Sequence, residues 1–189
     1  MAAMDVSELR KNAKIDIDGQ PYVVVDFQFV KPGKGQGLYK CKIKNMITGS
    51  VLDRTWRSGE RFEPANVESK RMQYLFSNGG TFTFMDNETY EQVELQAEVV
   101  GDDKWFLLDQ LEIDVLFYNE RPVGVSLPSH VVMEIVESEP GVKGDTATNV
   151  TKLAKVQTGY EVAVPIFIKI GEKVKIDTRT GAYVERVNQ

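Results

Sequence analysis

The sequence is almost without the residues that build metal sites and nucleophilic catalytic centres. Among 189 residues it has one cysteine, Cys41, and one histidine, His130. These counts exclude an internal disulfide and every zinc site that needs several cysteine or histidine ligands. Cys41 alternates with Tyr39 and Ile43, which is typical of a small core side chain, and His130 is better explained as the first residue of a strand than as a general base. We therefore expect no metal, no cofactor and no catalytic residue.

Long apolar runs are also missing from the chain. None approaches the roughly 20 residues that a helix needs to span a bilayer, and residues 1–5 lack the basic and apolar regions of a signal peptide. With 42% hydrophobic and 27% charged residues, the composition is ordinary for a globular protein that buries a core. We expect a cytoplasmic protein with no membrane partner.

The glycine-rich segment around Lys34 lacks what an enzyme of phosphoryl transfer requires. A phosphate-binding loop needs a Ser or Thr after its lysine and then a helix, whereas here Gly35 and a strand pattern follow. A dinucleotide-binding fingerprint also fails, because Leu38 stands where its third glycine belongs. An enzyme that uses Lys34 on phosphates stays an alternative, and stabilisation by nucleotide would support it.

Short β-branched and aromatic runs, separated by turn signals, predict an all-β fold. Clear strands are predicted at residues 131–136 and 162–170, and Pro165 within the second predicts an edge strand or a bulge. Two short helices are predicted around residues 87–95 and 105–111.

Charge is distributed in three blocks that suggest three domains. Prolines interrupt strand-like sequence near residues 64 and 128, which divides the chain into residues 1–65, 66–128 and 129–189. These blocks carry net charges of +3, −8 and 0 within a total of −5. Each block is predicted to form a small β-barrel or sandwich. We expect nucleic acid to be bound at the ends of the protein rather than at its acidic middle.

A β-hairpin with a lysine at its tip is the most informative local pattern. Apolar residues alternate before the tip (Val23, Val25, Phe27 and Phe29) and after it (Tyr39, Cys41 and Ile43). Lys34 lies between two glycines with no carboxylate nearby in sequence. Even a paired surface charge contributes only about 0–1 kcal/mol, so stability does not explain this lysine. We infer that a partner outside the chain needs it.

Period two places Lys40, Lys42 and Lys44 on one face of the second hairpin strand, opposite Cys41. Residues 27–52 also hold Lys31 and Lys34, and they contain no Asp or Glu. This lysine ladder predicts a surface that binds RNA phosphates. The alternative is an edge strand that its lysines keep in solution.

A polar connection at residues 140–148 is rich in glycine and hydroxyl side chains. It is either a flexible surface loop or a loop that contacts sugar and phosphate oxygens, and its spacing leaves both interpretations open.

Four ordered segments resemble the bacterial elongation factor P family along the whole chain. They are Lys31-Pro32-Gly33-Lys34-Gly35-Gln36, residues 84–92, residues 140–147 and residues 177–183. The resemblance implies an SH3-like (KOW-like) barrel followed by two OB-fold barrels. These three would form an L-shaped, tRNA-like arrangement, and the protein would be a monomer.

By the same resemblance, the protein is a translation factor and not an enzyme. It would bind the bacterial ribosome and its rRNA between the peptidyl and exit sites, and relieve stalling at consecutive prolines. Lys34, commonly extended in the family by a β-lysyl group from an enzyme similar to lysyl-tRNA synthetase, would reach the CCA end of the peptidyl-tRNA. The tip residues around it are Lys31, Pro32, Gly33, Gly35 and Gln36.

The resemblance also assigns contacts away from the tip. Lys40, Lys42 and Lys44 would meet ribosomal or transfer RNA phosphates. Gly144, Asp145, Thr146 and Ala147 match the third-domain loop, which is expected near mRNA at the exit-site codon.

The chain departs from the family at two places. Lys152-Leu153-Ala154-Lys155 stands where many relatives have Lys-Pro-Ala-Thr, and Gly37 stands where they often have alanine. We expect Gly37 to loosen the hairpin stem. A general single-stranded RNA-binding protein stays a further alternative, although the sequence identifies no exposed aromatic platform on which bases could stack.

Overall fold

Three antiparallel sheets organise the protein in the computed structural model, which describes residues 2–141 and 150–188. The first sheet has the strand order β1-β6-β2-β3-β4-β5. Its strands are β1 (Met4–Asp5), β2 (Lys14–Ile17), β3 (Gln20–Val30), β4 (Leu38–Asn45), β5 (Val51–Arg57) and β6 (Arg61–Pro64). A 3₁₀ turn at Val6–Glu8 follows β1, and its Val6 side chain is buried in the core of this sheet.

The second sheet has the order β11-β10-β7-β8-β9. Its strands are β7 (Val67–Ser77), β8 (Thr81–Met85), β9 (Gln92–Gln96), β10 (Glu112–Tyr118) and β11 (Arg121–Ser126). Between β9 and β10 lie a single helical turn, α1 (Ala97–Val100), and a 3₁₀ segment, Gly101–Phe106. The two edge strands β9 and β11 contact each other, as the closure of a small barrel requires.

The third sheet has the order β14-β13-β12-β15-β16. Its strands are β12 (His130–Ser138), β13 (Thr151–Val156), β14 (Glu161–Pro165), β15 (Lys173–Asp177) and β16 (Tyr183–Val187). Phe106, from the 3₁₀ segment before β10, is buried in the core of this sheet, where its ring meets Tyr160 edge-on. The second and third sheets are therefore joined by shared packing as well as by the chain.

The all-β prediction is confirmed, and so is the strand at residues 131–136, which lies within β12. The strand predicted at 162–170 is correct only as far as Pro165. That strand, β14, is an edge strand, as the proline predicted. The chain turns after Pro165, whose carbonyl accepts a hydrogen bond from the Ile168 amide.

The helix predicted at residues 87–95 is wrong. The Asp86 carboxylate accepts hydrogen bonds from the backbone amides of Glu88 and Thr89, which fixes a turn. The chain then enters β9, where Leu95 pairs with Phe82. The helix predicted at 105–111 is also wrong, because the 3₁₀ segment ends at Phe106. In both places cross-strand pairing and local turns outweigh a weak helical pattern.

We propose that each sheet is the framework of one domain. The sheets occupy residues 4–64, 67–126 and 130–187, and each has its own cluster of buried apolar side chains. The divisions at 65/66 and 128/129 and the L-shaped arrangement stay predictions. Among the described residues, no helix is long and apolar enough to cross a membrane.

Candidate functional site at the hairpin tip

The hairpin predicted from sequence is formed by β3 and β4. Phe29 pairs with Tyr39 and Phe27 with Cys41 across the ladder. The alternation predicted for β4 is confirmed, since Cys41 is buried whereas Lys40 is exposed. Burial raises the pKa of the Cys41 thiol and so suits a core role. The edge-strand alternative is wrong for the lysines of β4, because that strand lies between β3 and β5.

The tip is a tight turn that presents Lys34 to solvent. The Gly35 amide donates to the Pro32 carbonyl at 3.0 Å, so Gly33 and Lys34 occupy the centre of the turn. Every residue from 31 to 36 is exposed. Within the described part of the chain, neither Lys31 nor Lys34 has a carboxylate within 4 Å. The tip therefore holds two cations that no described residue neutralises.

Gly37 braces the stem, and the expectation that it loosens the stem is wrong. Its carbonyl accepts hydrogen bonds from the Ser58 amide at 2.9 Å and the Ser58 hydroxyl at 3.2 Å. A Cβ at this position would lie 2.6 Å from the ring of Phe29 and 2.6 Å from the Ser58 hydroxyl oxygen. Because glycine leaves that space, the turn after β5 packs directly against the base of the tip. Phe29 lies on the predicted strand before the tip, but sequence reasoning missed Ser58, because its proximity depends on β4 pairing with β5.

The lysine ladder is less positive than its sequence suggests. Lys42 lies opposite Asp26 on β3 and opposite Asp53 on β5. Lys40 has uncharged neighbours at the equivalent positions, Gln28 and Thr55. The two aspartates stand just outside residues 27–52, so a count along the chain excludes them although the sheet places them beside Lys42. Lys40 therefore has no opposing carboxylate on the neighbouring strands and Lys42 lies between two, and the binding of RNA phosphates by the ladder stays a prediction.

Lys44 has a partner of its own. Its ammonium donates a hydrogen bond to the Val99 carbonyl of α1 at 2.9 Å. This contact joins the first sheet to the second across 55 positions of sequence. The structure gives Lys44 a bond that competes with the predicted role in binding RNA phosphates.

Two arginines of β5 add positive charge that sequence reasoning missed. Arg54 lies over the ring of Trp56, with 5.1 Å from its guanidinium carbon to the ring centroid. Arg57 pairs with Leu38 at the base of the tip. Both are exposed on the edge of the first sheet. Period two could have found Arg57, which alternates with the buried Trp56, but it places Arg54 on the same face as Trp56 and so could not have found that residue.

Other predicted sites lie elsewhere. Gly144, Asp145, Thr146 and Ala147 lie outside the described residues. The His130 ring is 3.9 Å from the Asp177 carboxylate at the start of β12. Across residues 2–141 and 150–188, no three His, Cys, Asp or Glu side chains are grouped so that they could hold a metal ion. A cavity of about 840 Å³ between the second and third sheets is lined in part by Trp105 and contains no tip residue.

Three family models match consecutive parts of the chain. The model described as "Elongation factor P (EF-P) KOW-like domain" matches residues 5–62. The model described as "Elongation factor P (EF-P) OB domain" matches residues 67–125. The model described as "Elongation factor P, C-terminal" matches residues 131–186. Each match falls on one of the three sheets.

Curated relatives match at nearly full length. "Elongation factor P" of Desulfotalea psychrophila is 49% identical over 186 residues, which cover 98% of this chain and 100% of that protein. "Elongation factor P 2" of Geobacter sulfurreducens is 53% identical over 182 residues, covering 96% of this chain and 97% of that protein. A solved structure, "Eukaryotic translation initiation factor 5A from Methanococcus jannaschii", is 22% identical with a TM-score of 0.46, covering 66% of this chain and 92% of its own.

Proposed function

This chain belongs to the elongation factor P family and is a translation elongation factor rather than an enzyme; we propose that it binds the bacterial ribosome between the peptidyl and exit sites and relieves stalling at consecutive prolines. The resemblance of its tip to the family supports this proposal. So does the net charge of +3 on residues 1–65, which suits an approach to RNA.

Lys34 carries the proposed mechanism. The observation behind it is an exposed lysine at the centre of a glycine-flanked turn, without a neutralising carboxylate among the described residues. A lysine that no described residue holds is accessible to an enzyme similar to lysyl-tRNA synthetase, which would extend it with a β-lysyl group. The lengthened cation would then reach the CCA end of the peptidyl-tRNA.

The physical effect of that contact is positioning. A cation that is hydrogen-bonded along the CCA backbone restricts a mobile substrate to the geometry of attack, which contributes to the rate through entropy. Proline is a poor nucleophile and a rigid donor, so positioning matters most there. The brace formed by Gly37, Phe29 and Ser58 supports this role, because it fixes the base of the turn from which Lys34 projects.

Cations other than Lys34 would supply affinity. Lys31 on the tip and Lys40 on β4 are exposed, and Lys40 has no opposing carboxylate on β3 or β5, so both suit ribosomal or transfer RNA phosphates. Residues 144–147 would lie near mRNA at the exit-site codon, as their match to the family implies. We further propose that the protein acts as a cytoplasmic monomer.

The test is the rate of tripeptide synthesis through consecutive prolines on purified ribosomes. It compares no factor, the protein from its native host, and its Lys34→Ala variant, with Lys31→Ala as a matched control on the same tip. We expect acceleration by the native protein that Lys34→Ala loses and Lys31→Ala largely keeps. Equal acceleration by native protein and Lys34→Ala would refute the tip mechanism. No acceleration by the native protein, with ribosome binding intact, would refute the proposed function.

A further inference from the structure

The foot of the hairpin, defined as Lys44 together with the turn after β4, packs against α1 of the second sheet. The Lys44 ammonium donates to the Val99 carbonyl at 2.9 Å. Two residues back along the same face of β4, Lys42 faces strands of its own sheet. One strand thus carries Lys44, which bonds across two sheets, and Lys42, for which the described residues show no such bond.

Two glycines permit this close approach. A Cβ at Gly101 would lie 2.8 Å from the Lys44 ammonium nitrogen, and a Cβ at Gly49 would lie 2.6 Å from the Glu98 carbonyl oxygen. Both glycines have a left-handed backbone, with φ of 58° and 77°. At both glycines, the backbone of one region therefore approaches atoms of the other more closely than a residue with a Cβ would allow.

A second bond holds the same two sheets together. The Tyr118 hydroxyl at the end of β10 donates to the Asp16 carboxylate at 2.9 Å, and the Gly19 carbonyl, 3.2 Å away, is a second acceptor for the same proton. Met46, in the turn after β4, also packs with Leu116 and Val123 of the second sheet in a buried apolar cluster. Two polar bonds and an apolar contact restrain rotation between the sheets more than any one of them does alone.

The length of the hairpin makes this restraint important at the tip. From Lys44 to Leu38 the strand rises by roughly 20 Å at about 3.4 Å per residue. A tilt of about 5° at the foot would therefore move the tip by roughly 2 Å, and a displacement of about 1 Å at a reacting centre can lower a rate about 100-fold. A small rotation between the two sheets is enough to misplace Lys34.

We propose that Lys44 is a positioning residue that fixes the first sheet on α1 and thereby sets where Lys34 is held. The conformational part stands on the contacts above, and the effect on rate rests on the proposed function. Lys44 then acts through Val99 and not through an RNA phosphate.

The conformational test measures the distance between the two sheets by pulsed electron spin resonance. Spin labels are placed at the exposed positions Glu8→Cys and Glu94→Cys, while Cys41 is buried and stays unlabelled. We expect Lys44→Met to broaden the distance distribution. Lys44→Arg keeps a hydrogen-bond donor, so its distribution should be nearly as narrow as with Lys44. The matched control Lys40→Met should leave the distribution unchanged. An unchanged distribution in Lys44→Met, with an unaltered melting temperature, would overturn the proposal.

The functional test separates positioning from binding in the proline-synthesis assay. We expect Lys44→Met to lower the rate at saturating factor about tenfold, with little change in the concentration that gives half-maximal rate. Lys40→Met should mainly raise that concentration. If Lys44→Met instead behaves as Lys40→Met does, the phosphate role is correct and the positioning role is wrong. If the native protein itself gives no acceleration, the proposed function fails. The distance measurement still decides whether Lys44 restrains the first sheet relative to the second.

Discussion

The two ends of the β3–β4 hairpin use the same residue type in opposite ways. At the tip, Lys34 projects from an exposed turn and has no carboxylate within 4 Å among the described residues. At the foot, Lys44 is partly buried and bonded to the Val99 carbonyl. The comparison teaches that a run of lysines does not define one surface, because the partner of each lysine decides its role.

Glycines at the two ends differ in the same way. A Cβ added at Gly33 would meet nothing within 4 Å, whereas one added at Gly49 would lie 2.6 Å from the Glu98 carbonyl oxygen. Gly49 also has a φ of 77°, where L side chains are strained. The tip is therefore open around its backbone, and the foot is closely packed.

The largest effect is expected from Lys34→Arg, which keeps the positive charge at the tip but removes the amine that an enzyme could extend. If extension is required, the rate of synthesis through consecutive prolines should fall at least tenfold, although the fold is unchanged. The measurement uses protein from its native host, with mass spectrometry of the tip peptide to record the extension. A rate equal to that of the native protein would mean that charge alone is sufficient.

A large loss of stability is expected from Gly49→Ala at the foot. The strained φ and the contact with the Glu98 carbonyl should lower the free energy of unfolding by about 1–3 kcal/mol. Gly33→Ala at the tip is the matched control and should change it by less than about 0.5 kcal/mol. Urea unfolding of the two variants checks this. Similar losses of stability in the two variants would contradict the inference that the foot is more closely packed than the tip.

A smaller, pH-dependent effect is expected at Asp103, next to Lys44. Burial raises the pKa of this carboxyl to about 6, the charge of Lys44 opposes that rise, and Asp102 adds to it. The folded state holds the proton more tightly than the unfolded state, so stability falls as pH rises from about 4 to about 6. Asp103→Asn should therefore stabilise the protein at pH 7.5 by about 1 kcal/mol, after allowance for contact with water.

The measurement for Asp103→Asn is thermal or urea unfolding at pH 7.5 and at pH 4. The gain should be much smaller at pH 4, where the carboxyl is protonated in the folded state and close to half protonated in the unfolded state. Asp102→Asn, a change at an exposed neighbour, is the control and should give a smaller gain. A gain at pH 4 as large as at pH 7.5 would contradict an effect of ionisation.

The smallest effect should separate Lys40 from Lys42 on the face of β4. Removal of a cation that meets one phosphate lowers the slope of log affinity against log salt by about 0.7–0.9. We expect that change for Lys40→Ala in ribosome binding, and a smaller one for Lys42→Ala, since Asp26 and Asp53 already oppose Lys42. Equal changes in slope for the two variants would mean that Lys40 and Lys42 contribute equally to phosphate binding.

Local periodicity was enough to predict the hairpin. The alternation around Cys41 gave β4 and its faces, and the glycines around Lys34 gave the exposed turn. Both depend on neighbours within a few positions, and period two is unambiguous when one face is buried. The alternation from Val23 to Phe29 gave β3 but not its bulge between Val24 and Asp26, which leaves Val24 in the core. The third-domain loop at residues 144–147 stays a prediction.

Partners distant in sequence could not be predicted in the same way. The acidic neighbours of Lys42 depend on the register of three strands, and the Val99 partner of Lys44 lies in another sheet. The false helix at 87–95 has a related cause, because β9 is a strand through its pairing with β8. Hydrogen bonds between distant segments decide each case, and a linear pattern does not contain them.

Cys41 gives the protein an internal probe of how the first sheet opens. It is the only cysteine of the chain, is 3% exposed and has a pKa raised by burial, so the reactive thiolate is scarce in the folded state. A thiol reagent can modify it only when β3 and β4 separate or the sheet unfolds. The rate of modification therefore reports the opening of the first sheet without any introduced cysteine, in the free protein or in the protein bound to the ribosome.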